Sequence, residues 1–381
     1  MNKKKVLRIV HTLNPAEGGI ATSVIENSIS LLKKNIDIEI LTSDNENSTF
    51  QKSNKIKIIN MGPGIGKFGF SIKLTIWLFK NRYNYDTFIV DGVWTYGSLI
   101  SRLLLKKRYF VFIHGALDPY FKNNFSKRIK KQLYWFLFGK KNLIHSKAIL
   151  LTTEIEKKLL NKTYVNTDNI TKKVTGYGIY KKKINKKKLL KIFNEKYPQL
   201  RNKRTLLFLG RFHEKKGCDL LIKAYHKVKS KLNFNLFLAG SENNYKSEIR
   251  LMIKKYKLEE KVFLSEKILN DNLKYGAMIK SSAMILPSHS ENFGVSLVES
   301  LSVCRPILIS NKVNIYKEIN QYKSGIVFND DLNGIMKSLI RFNNLKDKEI
   351  KLMSYNALRC FNENYNLKIN KNKLYNVLFN N

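Results

Sequence analysis

Short apolar runs recur along the chain, each closed by polar or glycine-containing residues and most followed by a longer stretch of helix-like periodicity. In the first half these are "KVLRIVHTL", "IDIEILTS", "KIKIINM", "DTFIVDGV", "RYFVFIHG" and "AILLTT". Their apolarity is nearly continuous rather than alternating, as strands buried on both faces require, so the pattern predicts a parallel sheet covered by helices on either side. The second half repeats the scheme with "RTLLFLGRF", "FNLFLAGS", "KVFLSE", "AMILPSHS", "RPILISN" and "SGIVF". Two doubly wound α/β domains follow. Between them, "GYGIYKKKINKKKLLKIFNEKYPQLRNK" (176–203) has almost no strand signal and dense lysine, which places the boundary there. The expected division is a first Rossmann-like domain over 1–180, a second over 181–355, and a helical segment over 356–381. In open α/β sheets ligands sit beyond the carboxyl ends of the strands, so two such domains facing each other would form a central cleft.

A length of 381 residues suits two cores, and 43% hydrophobic with 12% aromatic residues suffices to fill them. No apolar run approaches the ~20 residues of a spanning helix, and the first strand run is broken by Arg8 and His11. Cys218, Cys304 and Cys360 are scattered, which suggests neither a disulfide framework nor a thiolate metal site and fits a cytoplasmic protein. The formal charge of +41 admits nucleic acid, an anionic membrane surface or an anionic substrate. A Lys-, Asn- and Ile-rich composition along the whole chain accounts for part of it, so charge alone names no partner.

Three strand ends carry candidate chemistry. In "HTLNPAEGGIATSVIENSISLL", Gly18 and Gly19 open a helix whose first amides could meet an anion, although a glycine pair is as often plain turn chemistry and the GxGxxG fingerprint is lacking. In "LFLGRFHEKKGCDLLIKAY", Gly210 ends a strand, Arg211 follows, and Lys216 precedes a helix. A guanidinium fork and a compact ammonium suit a diphosphate, the alternative being two solvated loop cations. In "SHSENFGVSLVESLSVCRP", Glu291 and Glu299 stand at a strand-to-helix junction. Were the intervening residues wholly helical, the carboxylates would lie ~12 Å apart. That exceeds the ~5 to 9.5 Å of a hydrolytic pair and suits two grips on one long ligand, such as the hydroxyls of a nucleotide sugar. Otherwise Glu299 is a solvated helix residue and Glu291 part of a capping region.

With these motifs in order, the chain resembles retaining GT-B glycosyltransferases of family 4 (glycosyl transferases group 1). The glutamate pair, the Arg and Lys of "LGRFHEKKGCDLL" and the glycine loop "PAEGGIATS" carry the resemblance, and "FIHGALDPYFKN" with its downstream helix resembles members acting in polysaccharide or lipopolysaccharide assembly. The resemblance implies α/β architecture of GT-B type, with two Rossmann-like doubly wound domains facing a central cleft. It implies retaining, metal-independent transfer of a sugar from a nucleotide-sugar donor, a co-substrate rather than a cofactor, to a saccharide or lipid-linked acceptor. Arg211, Lys216, Glu291 and His114 would carry the catalytic work, with His114 on the acceptor side. Gly18, Gly19, Gly210, Asn292, Phe293, Gly294 and Glu299 would bind the donor, Glu299 through the ribose. The segment from about residue 355 would pack as a helix on the first domain. Cys304 stands where the pattern has a glycine that closes a helix in the left-handed conformation.

In "FSKRIKKQLYWFLF" (125–138), Phe125, Ile129, Leu133 and Phe136 form one stripe, with Lys127, Arg128, Lys130 and Lys131 mostly elsewhere. Such a helix either lies on an anionic membrane surface, placing the protein peripherally on the inner face of the cell membrane, or packs its stripe on the first sheet. No RNP run or zinc finger accompanies the charge, so no specific nucleic-acid partner is expected, although a basic nucleic-acid-binding protein stays an alternative. A nucleotide-sugar epimerase or hydrolase on the same fold is the other.

Overall fold

A computed structural model describes residues 3–48, 50, 55–119, 125–163, 167–369 and 373–380. The chain divides into two compact units, Met1–Gly178 with Asn370–Asn381, and Ile179–Ile369.

The first unit is built on seven parallel strands: β1 (Lys5–Val10), β2 (Asp37–Asn45), β3 (Lys57–Gly62), β4 (Thr87–Asp91), β5 (Tyr109–Phe112), β6 (Ile149–Leu151) and β7 (Lys172–Val174), in the order β3-β2-β1-β4-β5-β6-β7. One face buries Leu7, Ile9, Val90, Val111 and Ile149, and the other buries Val10 and Ile40 against Ala21 and Val24 of helix Ile20–Leu32. Strands apolar on both faces read as unbroken runs, which is why the interior strands lie where the pattern puts them, and the edge strand β3 is found through its isoleucines. The seventh, Lys-Lys-Val at the sheet edge, has no interior to fill and gave no such signal.

The second unit has six parallel strands: β8 (Thr205–Leu209), β9 (Asn235–Ala239), β10 (Val262–Leu264), β11 (Ala283–Leu286), β12 (Ile307–Ser310) and β13 (Gly325–Phe328), ordered β10-β9-β8-β11-β12-β13. Both sheets reverse their order beside the first strand, the switch-point geometry of doubly wound folds, so both units are Rossmann-like. Helix Asp347–Asn364 buries Ala357, Cys360 and Phe361 and packs against helices Val295–Ser302 and Tyr316–Tyr322 of its own unit. Residues 356–369, expected with the first domain, therefore stay with the second unit, because that apolar face finds its partners there. Only the final helix, Lys373–Phe379, packs on Ile20–Leu32 of the first unit. Among the described residues no helix is long and apolar enough to cross a membrane.

Candidate functional site

In the second unit the candidate residues gather at the carboxyl ends of β8 and β11. Gly210 donates its N–H to Ala239 O across to β9, and Arg211 follows it, exposed. A 3-10 turn over Glu214–Lys216 then leads through Gly217 into helix Cys218–Val228. Gly217 has φ +67°, and a Cβ there would come within 2.2 Å of the Pro287 carbonyl oxygen, so only glycine lets this turn lie against the loop after β11. His289 N–H and Ser288 Oγ bind Lys215 O and fix the two loops together. The docking brings Lys216 Nζ onto the Glu291 carboxylate.

Glu291 is not helical. Its backbone pairs with Lys312 O and Asn314 N, and the helix begins only at Val295, after Gly294 at φ +71°. The wholly helical separation therefore does not apply to this pair. Burial would push the Glu291 carboxyl up, but Lys216, with Lys215 and Arg211 nearby, holds it below the ordinary carboxylate range. Of the residues at the helix start, Asn292 bonds Asn314 at 3.2 Å, while the Phe293 ring is buried edge-on against Tyr365, 5.6 Å away. Phe293 thus has backbone rather than side chain to offer a ligand.

Glu299 is buried and already doubly bonded, to Lys274 Nζ at 2.7 Å and to Tyr275 Oη at 3.2 Å. Burial would lower the Lys274 ammonium, but Glu299 and Asp271, 3.2 Å away, hold it above its ordinary value. Lys274 is a residue that sequence reading missed, since nothing in "DNLKYGAM" distinguishes it from other helix lysines. Cys304 takes φ +66°, so the left-handed turn forms without glycine, at about 1 kcal/mol or more.

In the first unit the loop after β1 runs through a 3-10 turn, Pro15–Glu17, to Gly18 at φ +110° and Gly19, the N-cap of helix Ile20–Leu32. At the end of β5, His114 takes φ +51°, a conformation uncommon for a residue other than glycine. Its ring is buried and engaged on both nitrogens, by Asp91 Oδ1 at 2.6 Å and by the Tyr177 hydroxyl. Asp91 in turn receives Arg8 Nε at 2.6 Å and Nη2 at 2.7 Å. Burial alone would raise the Asp91 carboxyl, yet Arg8 and His114 hold it below its ordinary value. Next to them, Glu156 accepts from Gly115 N at 2.6 Å and from Thr152 N and Oγ1, and there burial wins and raises it. Arg8, Asp91 and Tyr177 were also missed. The one available signal was Arg8, a cation in the middle of an otherwise apolar strand.

The helix of 125–138 forms as Phe125–Tyr134 followed by a π-turn, Trp135–Gly139. Its stripe does not pack on the sheet: Ile129, Leu133 and Phe136 are exposed, Phe136 to 81%, and Trp135 is the residue that turns inward. The side chains of Phe125, Lys127, Arg128 and Lys130 lie outside the described set. Helix Ile72–Asn81 shows the same feature, with Leu74 and Leu78 fully buried while Ile72, Ile76 and Phe79, and Tyr83 just beyond, are exposed. At 100° per residue these four fall within about 60° of arc. Phe68, just before this helix, packs against Tyr96 at 5.8 Å and Tyr134 at 5.9 Å, tying it to the 125–134 helix.

Among the described residues no three His, Cys, Asp or Glu side chains gather as a metal site would need.

Residues 191–357 match the family model for Glycosyl transferases group 1, so a domain of that kind lies within the second unit. The chain is similar to the uncharacterized glycosyltransferase MJ1178 of Methanocaldococcus jannaschii, 25% identical over 91% of this chain and 87% of that protein. It is 28% identical, over 69% of itself and 62% of the other, to the N-acetylgalactosamine-N,N'-diacetylbacillosaminyl-diphospho-undecaprenol 4-alpha-N-acetylgalactosaminyltransferase of Campylobacter jejuni. Among solved structures, sucrose-phosphate synthase of Thermosynechococcus elongatus superposes with a TM-score of 0.79 at 16% identity, covering 99% of both chains. HepE of Anabaena, solved with UDP and glucose, does so with a TM-score of 0.79 at 13% identity over 98% of this chain and 99% of that one. The fold is therefore GT-B, two Rossmann-like α/β domains.

Proposed function

We propose that the protein is a retaining, metal-independent glycosyltransferase that moves a sugar from a nucleotide-sugar donor to a saccharide or lipid-linked saccharide in cell-surface polysaccharide synthesis. The observation that carries this reading is the convergence of Arg211, Lys216 and Glu291 at the ends of β8 and β11, within the segment that matches glycosyl transferases group 1. Arg211 and Lys216 neutralise the diphosphate where negative charge develops as it leaves, which is electrostatic stabilisation placed for the transition state. Lys216 is held ready by Glu291, whose carboxylate accepts donor-sugar hydroxyls once the ammonium turns to phosphate. Glu299, oriented by Lys274 and Tyr275, receives the ribose hydroxyls. Gly18 and Gly19 approach the phosphates through backbone amides. His114, braced by Asp91 and Tyr177, serves the acceptor side, and the leaving phosphate takes the acceptor proton, so no protein nucleophile is needed.

A lipid-linked acceptor suits the exposed stripes of the first unit. Ile72, Ile76, Phe79 and Tyr83, with Ile129, Leu133 and Phe136, form an apolar surface on which a monomer rarely insists, with Lys73 and Lys80 beside it. The relative from Campylobacter jejuni is named for a diphospho-undecaprenol acceptor, in keeping with such a surface.

The test is nucleotide release from UDP-, GDP- and ADP-sugars, with and without a carrier-linked saccharide pool. Release from one donor, raised by acceptor and accompanied by an α-anomeric product from an α-linked donor, is the expected result. Donor consumption that yields free sugar or an epimer, indifferent to acceptor, would overturn it in favour of a hydrolase or epimerase.

A further inference from the structure

The opposite edge of the second sheet also gathers charge. The residues just before β8, β11 and β12, together with the start of helix Asp347–Asn364, line an open cavity of about 460 Å³ whose walls include Arg201, Lys203, Arg204, Lys280, Arg305 and Asp347. Lysine abundance does not explain this. The chain has 58 lysines and only 12 arginines, yet three of the twelve meet here.

The cations have hydrogen bonds but few countercharges. Arg204 donates to the carbonyls of Phe342 (3.2 Å) and Asn343 (3.4 Å), Arg305 to Ile279 O at 2.6 Å, and Lys280 to Lys203 O at 2.7 Å. Those acceptors are neutral, and none of the five cations forms an ion pair among the described residues. The carbonyls of helices Asp271–Lys280 and Leu332–Asn343 bring about half a negative charge each, and the amino end of helix Asp347–Asn364 about half a positive one. Five cations against Asp347 and these dipoles leave roughly +3.5 on one cavity. Burial pulls Arg204, Lys280 and Arg305 below their ordinary values, and Lys280 is lowered further by Arg305. Arg305 Nε is moreover buried without a hydrogen-bond partner. An anion in the cavity would supply the countercharge these half-buried cations lack.

We propose that this cavity is a second anion site that takes a phosphorylated small molecule carrying two or more negative charges. Guanidinium forks favour the paired oxygens of phosphate over a single carboxylate. The cavity is open to solvent and has room for more than a lone ion. A strand of five residues, about 16 Å, separates it from the Arg211 loop, so both sites can be filled at once.

Inorganic pyrophosphate is the probe, titrated calorimetrically into the full chain. Wild type should show two sites. Lys216→Ala should remove one and leave the other, whereas the exposed double variant Arg201→Glu/Lys203→Glu should weaken the second at least tenfold with an unchanged thermal midpoint. Arg305→Lys, which keeps charge but loses the fork, should fall between wild type and that variant. A single site abolished by Lys216→Ala, or a second site indifferent to the charge reversal, would overturn the assignment.

Discussion

The two units share one architecture and use their polar groups in opposite ways. The second sets its candidate residues in short ion pairs, Lys216 with Glu291, both partly accessible, and Lys274 with Glu299, whose carboxylate is buried between two helices. The first sinks its own into the sheet as a linked set of Arg8, Asp91, His114 and Tyr177, and leaves apolar side chains outside. Among the described residues, fourteen of the nineteen large exposed apolar side chains belong to the first unit. The contrast teaches that the fold fixes where ligands can bind, while residue choice at the strand ends decides what kind.

The largest effect should come from the buried set. Asp91→Ala strands the Arg8 guanidinium in the sheet and should lower stability by about 3–5 kcal/mol, read as a denaturant midpoint. Glu299→Ala should cost less, because Lys274 keeps Asp271 as a neighbour. Equal losses would erase the distinction between a structural network in one unit and poised pairs in the other. Next comes Lys216→Ala, expected to cut donor turnover by ~10²–10³-fold with the fold intact. Near-normal turnover would remove the second unit's pair from the chemistry.

A pH series separates Glu291 from Glu156 by sign. Glu291 is depressed, so its stabilisation is present above the unfolded value of ~4.3 and fades as pH falls through the lower folded value. Glu156 is raised, so its effect runs the other way: stability is highest below the unfolded value and is lost as pH rises through the folded one. The deficit of Glu291→Gln against wild type should therefore shrink toward pH 4 and below, while Glu156→Gln should gain on wild type as pH rises above the unfolded carboxyl value. Denaturant midpoints across the pH series check both, and parallel curves would show that neither carboxyl is held as described.

What was legible in the sequence follows the same division. Most of the twelve strands announced themselves because parallel strands covered on both faces must be apolar throughout, the edge strand β3 kept enough isoleucine to be seen, and β7, two lysines and a valine at the other edge, did not. Arg211, Lys216, Glu291 and Glu299 could be singled out as candidates because they sit in short motifs at and after strand ends, and the structure brings Lys216 onto Glu291. Arg8, Asp91, His114 and Tyr177 are spread over 169 residues, and only the register of β1 with β4 and β4 with β5 brings the first three together. The helix of 125–138 was readable as amphipathic, but amphipathicity does not say which face meets the protein. Helix Ile72–Asn81 was harder still, because it is apolar on two sides and so looks like an ordinary core helix.

The smallest effect on stability carries the sharpest test of the first unit's surface. Ile76→Ser/Phe79→Ser and Ile129→Ser/Phe136→Ser alter exposed side chains and should stay within about 0.5 kcal/mol of wild-type stability. Vesicles of phosphatidylcholine with phosphatidylglycerol supply both an apolar interior and an anionic surface, and sedimentation reads the bound fraction. A side chain that enters the acyl boundary contributes up to ~1.5–3 kcal/mol, against ~1 kcal/mol for a lysine near the headgroups. Either apolar pair should therefore weaken binding by more than tenfold, and by more than Lys73→Gln/Lys80→Gln does. Should the lysine variant release the protein while both serine variants stay bound, the stripes would have no part in docking, and the first unit would differ from the second in charge placement alone.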